Sequence, residues 1–203
     1  MTRYTGTRIN AAVADPQFSP APLKELLSKE YAAHRRKYID PARANPEIRY
    51  GVPFGRSDTV YFSVVDAQGN ACSFINSNYM GFGTGIVPKG CGFTLQNRGH
   101  NFSLDASHPN ALAPGKRPYH TIIPAMATRV EDQSLYACYG VMGGFMQPQG
   151  HMQVTIGMVD DRLDPQSVLD RPRFQIDPDV KYSSTSMEAE MPILTISKLA
   201  EMG

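Results

Sequence analysis

An abrupt change in sequence character at Thr59 constrains the fold of this chain more than any other feature. Residues 42–57 mix prolines, glycines and charges without a period, which is typical of an exposed connecting segment. Residues 59–65 (TVYFSVV) and 71–77 (ACSFINS) are rich in β-branched and aromatic residues, and the turn sequence DAQGN separates them. The sequence therefore predicts a β-hairpin that begins at Thr59, directly after a segment that can be cut without unravelling a core.

Periodicity and turn signals predict the remaining elements. They are a helix over 24–39, a short strand near 93–96, a long polar loop over 97–118, strands over 119–129 and 135–141, a helix after Gln147, a helix from Pro165 to Leu169, a strand near 173–176 and a helix over about 187–202. Hairpins come first and helices second, without βαβ alternation. This order predicts an α+β fold in which helices cover antiparallel sheets.

Composition excludes several classes of function. Lys and Arg number 20 against 19 Asp and Glu, so the chain has no electrostatic footprint for nucleic acid. No apolar run reaches the roughly 18 residues needed for a membrane span. The first residues lack an apolar signal core, which favours a cytoplasmic protein unless the N-terminus is missing.

The cysteines and histidines point to neither a metal nor a cofactor. Cys72, Cys91 and Cys138 are odd in number and lack metal-ligand spacing, so we expect buried free thiols. The five histidines also lack such spacing. His120, next to Thr121, is the histidine we nominate for substrate contact, with a structural hydrogen bond as the alternative.

Thr59 is the candidate nucleophile. A threonine hydroxyl needs a base, and an α-amino group on the same residue can serve once the Asp58–Thr59 bond is cut. The alternative is an ordinary strand threonine. Gly143 and Gly144 end a predicted strand, where their backbone N–H groups can stabilise an oxyanion or simply form a tight turn.

Several sequence blocks resemble the small subunit of γ-glutamyltransferases in order and spacing over residues 58–176. They are DTVYFSVVD with GNA, then FGTGIV, KRP and GG at 143–144. NRG, FSLD, HPN, HTIIP and GGFMQPQGH further resemble the YwrD-like branch of that family.

The resemblance implies an N-terminal-nucleophile (Ntn) hydrolase with an αββα sandwich, present here in part. Residues 1–58 would be the end of a large-subunit-like region with a flexible strip before the cleavage site, and 59–203 the small-subunit-like catalytic domain. It implies self-cleavage between Asp58 and Thr59, support of the nucleophile by Ser77, and an oxyanion hole at Gly143 and Gly144. A γ-glutamyl group would pass through an ester on Thr59 to water or an amino-acid acceptor.

The residues that would hold the substrate depart from the family pattern. Where better-known members bind the glutamate α-carboxylate and α-amino groups, this sequence has Tyr79, Arg98, Asn101, His120 and Thr121. Asn101 replaces a carboxylate that would pair with a substrate ammonium. We expect these five residues to contact the substrate and to alter its specificity.

The resemblance also predicts that the sequence is partial, because only 58 residues precede Thr59. A large-subunit region is therefore the expected heterodimer partner. Two alternatives stay open: an acylase of the cephalosporin-acylase type acting on another side-chain acid, and an inactive fragment that serves as a binding domain.

Overall fold

The computed structural model describes residues 14–43, 59–176 and 185–203. In chain order its elements are α1 (Leu23–Leu26), α2 (Lys29–Arg36), β1 (Thr59–Val65), β2 (Ala71–Ser77), a 3₁₀ helix (Arg98–Asn101), β3 (Ala125–Thr128), β4 (Leu135–Tyr139), α3 (Met146–Val159), α4 (Pro165–Asp170), β5 (Phe174–Ile176), β6 (Thr185–Met187) and α5 (Ile193–Glu201). Helices and small antiparallel sheets together confirm the α+β class.

The chain divides into two compact units. The hairpin unit comprises Phe54–His100 and His120–Arg162, and the terminal unit comprises Met1–Pro53, Asn101–Tyr119 and Leu163–Gly203. The expected boundary at 58/59 stays a prediction, since Asp58 and the strip before it from residue 44 lie outside the described residues.

The predicted hairpin is present with the predicted bounds. β1 pairs antiparallel with β2, from Thr59 opposite Ser77 to Val65 opposite Ala71. Asp66 closes the turn, because its Oδ1 accepts hydrogen bonds from the backbone N of Gln68 (2.9 Å) and Asn70 (2.8 Å). The turn also needs Gly69, whose φ is +84°.

A second antiparallel pair, β3 and β4, supports helix α3 within the hairpin unit. The hydroxyl of Tyr136 donates to the carbonyl oxygen of Met158 (3.2 Å), and that of Tyr139 lies 2.8 Å from Thr155 Oγ1. Gly150 lets α3 approach Val141, because a Cβ there would stand 2.5 Å from Cγ1 of that valine. Among the described residues, the hairpin unit contains most of the buried apolar side chains: Ile75, Tyr79, Val141, Val154 and Met158.

The two sheets meet through polar contacts on one face of β1–β2. Ser73 Oγ donates to the carbonyl oxygen of Ala125 (2.7 Å), and the Tyr61 hydroxyl lies 2.9 Å from Ser73 Oγ. The opposite face is exposed and apolar, with Phe62 stacked on Phe74 at a centroid distance of 4.9 Å. The alternation expected of a strand thus divides the hairpin into a packed and an open face.

Three expected strands differ from the structure. Residues 93–96 form no strand; instead Thr84 N and Leu95 N bond across the loop to Leu95 O (2.8 Å) and Ile86 O (2.9 Å). The strand predicted over 119–129 is restricted to β3, and the one over 135–141 ends at Tyr139. In the loop before β3, the backbone N of Ile122 donates to the His120 side chain and that of Ile123 to the Gln147 side chain, so neither bonds to a neighbouring strand.

The cysteine prediction is half wrong. The three thiols are free, but Cys72 and Cys91 are exposed and Cys138 is only half-buried. Cys72 lies opposite Val64, near the turn end of the open hairpin. An apolar sequence context therefore did not imply burial here.

The terminal unit has a broken N-terminal helix rather than one helix over 24–39. α1 ends at Leu26, and Ser28 begins α2 by accepting a hydrogen bond from Tyr31 N on its Oγ (3.0 Å). The serine satisfies a helix-start donor that would otherwise be unpaired, so its capping preference overrides the apolar period. α2 ends at Arg36.

The C-terminal elements follow the prediction, except that the last helix begins later than expected. Asp164 caps α4 by accepting from Gln166 N (3.0 Å) and Ser167 N (3.1 Å), with Pro165 at the first position. β5 pairs with β6, so Met187 belongs to a strand and α5 begins at Ile193. No helix in the described part of the chain is long and apolar enough to cross a membrane.

A buried carboxylate ties the N-terminal segment to the loop at Arg117 inside the terminal unit. The Asp15 side chain is 1% exposed, and it accepts from Arg117 Nη2 (3.0 Å), Nε (3.3 Å) and backbone N (2.9 Å). These bonds hold the pKa of Asp15 well below its ordinary value of 3.8. Since Asp15 precedes Thr59 and Arg117 follows it, the pair would join two chains if the Asp58–Thr59 bond were cut.

We expect Asp15→Asn to lower the melting temperature by several degrees at pH 7, because it replaces a buried carboxylate that accepts four hydrogen bonds, three from Arg117 and one from Gln17 N. The pKa of Asp15 is lower in the folded than in the unfolded protein. Its ionised carboxylate therefore contributes its full stabilisation at pH values above the unfolded-state pKa. This stabilisation is lost as the pH falls through the folded-state pKa. The difference between wild type and variant should thus be constant above about pH 5 and shrink below pH 4. Thermal melts across pH 2.5–8 measure it, with exposed Asp160→Asn as control; a constant difference to pH 2.5 would contradict the assignment.

Candidate active site

The first residue of β1 and the last residue of β2 bring two hydroxyl groups together. Thr59 Oγ1 donates to Ser77 Oγ at 3.2 Å, and Ser77 Oγ also accepts from the backbone N of Tyr79 at 3.0 Å. Thr59 and Ser77 are partners in the strand register, so the contact follows directly from the hairpin. A strand end with two adjacent hydroxyls is a suitable place for a nucleophile and a group that orients it.

Tyr79 holds an unusual backbone conformation directly after this pair. Its φ is +77°, although it is not a glycine, and its side chain is only 6% exposed. Such a conformation costs free energy and persists where the surrounding contacts enforce it, often at functional sites. Here the bond from Tyr79 N to Ser77 Oγ and the burial of the ring supply those contacts.

Arg98 is a buried cation beside the hydroxyl pair, only 8% exposed. Its Nη2 donates to the carbonyl oxygen of Ser77 (3.2 Å), and its Nε donates to Thr121 Oγ1 (2.9 Å). Its guanidinium carbon lies 5.9 Å from the centroid of the Tyr79 ring. Burial lowers the pKa of Arg98 from its ordinary range, because desolvation penalises the charged form.

Gly143 and Gly144 form a left-handed turn between β4 and α3. Their φ values are +108° and +59°, and their carbonyl oxygens accept from Met146 N (3.1 Å) and Gln147 N (3.0 Å). Within the described residues neither glycine N–H donates a hydrogen bond. Unpaired N–H groups at the start of a 14-residue helix can bind an oxyanion.

Tyr61 links this turn to strand β1, which begins with the candidate nucleophile Thr59. The Tyr61 ring occupies the space that a side chain at Gly140 would need. Tyr61 is two residues after Thr59, and Gly140 is three residues before Gly143. The start of β1 and the end of β4 therefore lie side by side in the hairpin unit.

The other two predicted substrate contacts have different positions. His120 is exposed and precedes Thr121; its Nδ1 accepts from Ile122 N at 3.3 Å. Asn101 belongs to the terminal unit, where its Nδ2 donates to Tyr119 O (3.4 Å) and its carbonyl oxygen accepts from Asn110 Nδ2 (2.7 Å). Thr59, Ser77, Tyr79, Arg98 and Thr121 are thus joined by direct contacts within the hairpin unit.

Gln96 and Gln147 position residues of the candidate site through hydrogen bonds. The sequence analysis did not name either of them as a site residue. Gln96 Oε1 accepts from Arg98 N (2.5 Å) and Nη1 (3.4 Å) and so helps to orient the guanidinium. Gln147 is 1% exposed, and its Oε1 accepts from Ile123 N (3.0 Å), which fixes the chain just after Thr121 against α3. For Gln96, the sequence signal was its position two residues before Arg98.

The arrangement is suited to acyl transfer. It combines paired hydroxyls, unpaired backbone N–H groups and a buried cation in one unit. The family comparison agrees with this chemistry, since a sequence profile described as gamma-glutamyltranspeptidase matches residues 4–203.

Individual relatives extend the agreement. The chain is 38% identical over 196 residues to the glutathione hydrolase-like YwrD proenzyme of Bacillus subtilis, and equally identical over 196 residues to the oxamate amidohydrolase proenzyme of Klebsiella pneumoniae. Each match covers 96% of this chain and 36% of the relative. A crystal structure of cephalosporin acylase from Bacillus halodurans is similar with a TM-score of 0.82 and 45% identity, over 96% of this chain and 34% of that one.

The chain therefore spans about a third of the length of these relatives. Within that third, similarity covers both the residues before Thr59 and those after it. On this evidence the chain belongs to the γ-glutamyltranspeptidase family, which confirms the resemblance of its sequence blocks.

Proposed function

We propose that the protein containing this chain is a self-cleaving Ntn amidohydrolase or acyltransferase with Thr59 as its nucleophile. The hydrogen bond between Thr59 Oγ1 and Ser77 Oγ, 3.2 Å long and located where β1 begins, is the observation that carries the proposal. Two of the relatives are named as proenzymes, which supports a processing step.

Self-cleavage would use the same hydroxyl as catalysis. Thr59 Oγ1 attacks the carbonyl carbon of Asp58, the C–N bond breaks, and the acyl group moves from nitrogen to oxygen as an ester. Water then hydrolyses the ester, which leaves a carboxylate on Asp58 and an α-amino group on Thr59. That amino group becomes the base for later turnovers.

Turnover would follow the same pattern on an external amide. The α-amino group accepts the proton of Thr59 Oγ1 as the oxygen attacks the donor carbonyl, and the Gly143 and Gly144 N–H groups bind the resulting oxyanion. The proton passes to the leaving amine as the C–N bond breaks. Water or the amine of an acceptor then attacks the ester and releases the acyl group.

We propose γ-glutamyl compounds as donors, in line with the family and the glutathione hydrolase relatives. A large-subunit region would be the partner after cleavage, and no metal or cofactor takes part in the proposed steps. A second candidate function is an acylase for another side-chain acid, which the 45% identity to a cephalosporin acylase favours.

We also propose that the two sheets of the hairpin unit are inner layers of an αββα sandwich. α3 supplies a helical cover on β3–β4. The open face of β1–β2 displays Val60 (63% exposed), Phe62 (50%) and Val64 (57%), a row that a further layer would bury.

The proposed function is tested by intact-mass analysis of the full-length gene product together with hydrolysis of L-γ-glutamyl-p-nitroanilide. We expect two fragments, the second beginning at Thr59, and release of nitroaniline only after cleavage. An uncut chain that turns over the anilide would contradict the mechanism. Cleavage without turnover of γ-glutamyl, glutaryl or simple acyl anilides would favour an inactive binding domain.

A further inference from the structure

Arg98 is a buried cation without a carboxylate partner in the described part of the chain. Arg117 and Arg173 each bond an acidic side chain, at 3.0 Å and 3.1 Å. Arg98 instead contacts a hydroxyl, an amide oxygen and a carbonyl oxygen, all of them uncharged. A buried charge paired only with neutral groups is costly unless an anion joins it.

The acidic residues described in the hairpin unit all lie in turns or at a helix end, and none of them bonds Arg98. They are Asp66 between β1 and β2, Glu131 and Asp132 between β3 and β4, and Asp160 and Asp161 after α3. Asp66 follows a seven-residue strand that begins at Thr59, so it is about 20 Å from the nucleophile end of the hairpin. This end of the described unit offers positive charge and no carboxylate for a ligand ammonium.

The guanidinium also keeps donors available. It carries five N–H groups, and the side-chain contacts of Arg98 use one on Nε, one on Nη1 and one on Nη2. One hydrogen is left on each terminal nitrogen. Two N–H groups on adjacent nitrogens match the two oxygens of a carboxylate.

Ser77 sets the distance between this cation and the nucleophile. Arg98 Nη2 is 3.2 Å from the Ser77 carbonyl oxygen, and Thr59 Oγ1 is 3.2 Å from Ser77 Oγ. Since both oxygens belong to one residue, the guanidinium lies within about 10 Å of the nucleophilic oxygen. A carboxylate bound to Arg98 and a carbonyl attacked by Thr59 can therefore belong to the same short acyl group.

We propose that Arg98 binds the remote carboxylate of the acyl donor and that a donor ammonium contributes nothing to recognition. The substrates would then be half-amides of short dicarboxylic acids, with or without an α-amino group. This inference rests on the proposed function, because it assigns the donor of the Thr59 reaction. It makes Arg98 a specificity-determining residue.

Four p-nitroanilides test the two charges separately with the full-length gene product. Glutaryl anilide has the carboxylate alone, L-γ-glutamyl anilide has both charges, 4-aminobutyryl anilide has the ammonium alone, and butyryl anilide has neither. We expect kcat/KM for glutaryl to equal or exceed that for γ-glutamyl, and both to exceed the other two by about 10-fold or more. A γ-glutamyl preference over glutaryl beyond about twofold would overturn the proposal, because it would show that the ammonium contributes to recognition.

The variant Arg98→Gln tests whether Arg98 itself is responsible for the preference for carboxylate donors. It should lower kcat/KM for the two carboxylate donors by about 10- to 100-fold, mainly through KM, and leave butyryl anilide within about twofold. Arg98→Lys should retain part of the preference, since it keeps the charge but loses the paired donors. Arg129→Gln, at an arginine that bonds Leu135 O beside the β3–β4 turn, is the matched control. An equal loss on all four donors would show a structural role and overturn the proposal.

A binding measurement separates failure of this inference from failure of the proposed function. Glutarate and butyrate are titrated calorimetrically into the wild type and Arg98→Gln. Selective glutarate binding that Arg98→Gln abolishes, without anilide turnover, would reject the proposed chemistry but support the carboxylate site. Turnover that depends on Thr59, with no preference for glutarate, would reject the carboxylate site alone.

Discussion

Replacing Thr59 with alanine should stop both self-cleavage and turnover. The variant lacks the oxygen that would attack Asp58 and the oxygen that would carry the acyl group, so no other described group replaces it at the start of β1. Loss of a nucleophile costs about 10⁴-fold or more in kcat. Intact mass and anilide hydrolysis measure the two effects on the same purified protein.

Two further variants make the Thr59→Ala result specific. Thr128→Ala removes an exposed threonine hydroxyl from the end of β3 and should cleave and turn over as the wild type does. Thr59→Ser keeps the hydroxyl and should retain cleavage at a reduced rate, because serine lacks the methyl group that restricts χ1. Residual turnover in Thr59→Ala above about 1% of wild type would exclude Thr59 as the nucleophile.

The hairpin and the Thr59–Ser77 contact illustrate what the sequence could predict. β-Branched residues on both sides of a DAQGN turn determine two strands of equal length, and equal length sets Thr59 opposite Ser77. The candidate role of Thr59 needed the family resemblance, since composition alone made it an ordinary strand residue. Its assignment as nucleophile stays a prediction, as do those of Ser77 and the two glycines.

The network around Arg98 shows what local pattern could not supply. Its contacts join residues 98, 121 and 77, which are separated by more than 20 positions along the chain. Neither periodicity nor turn chemistry reports on contacts at that separation, because both describe neighbours. The resemblance named Arg98, Thr121 and Asn101 as one substrate shell, and that grouping stays a prediction.

The errors at element ends have local physical causes. Ser28 accepts a hydrogen bond from Tyr31 N, which starts a new helix inside an apolar period. The segment near Leu95 has strand-like composition but bonds to the Ile86 and Thr84 backbone within a loop. Pattern gives the type of an element more securely than its limits, because a single competing hydrogen bond moves a limit.

Gly143→Ala should reduce kcat/KM by about 100-fold or more, because it disturbs the N–H groups assigned to the oxyanion. Its φ of +108° is strained for any residue with a Cβ, and that Cβ would stand 3.2 Å from Met146 Cβ. To relieve this strain, the peptide group between residues 143 and 144 must rotate, which redirects the N–H of Gly144. Since turnover needs those donors at the moment of attack, kcat should fall more than KM rises.

Gly69→Ala separates loss of function from simple backbone strain. Gly69 has φ of +84° in the turn at the other end of the same hairpin, and a Cβ there would meet nothing within 4 Å. Both variants should lose about 1–2 kcal/mol of unfolding free energy from placing alanine in a left-handed conformation. Denaturant melts and anilide kinetics on both proteins make the comparison. Equal losses of activity would assign the Gly143 effect to strain in the fold, whereas a loss confined to Gly143→Ala would assign it to the N–H groups at the start of α3.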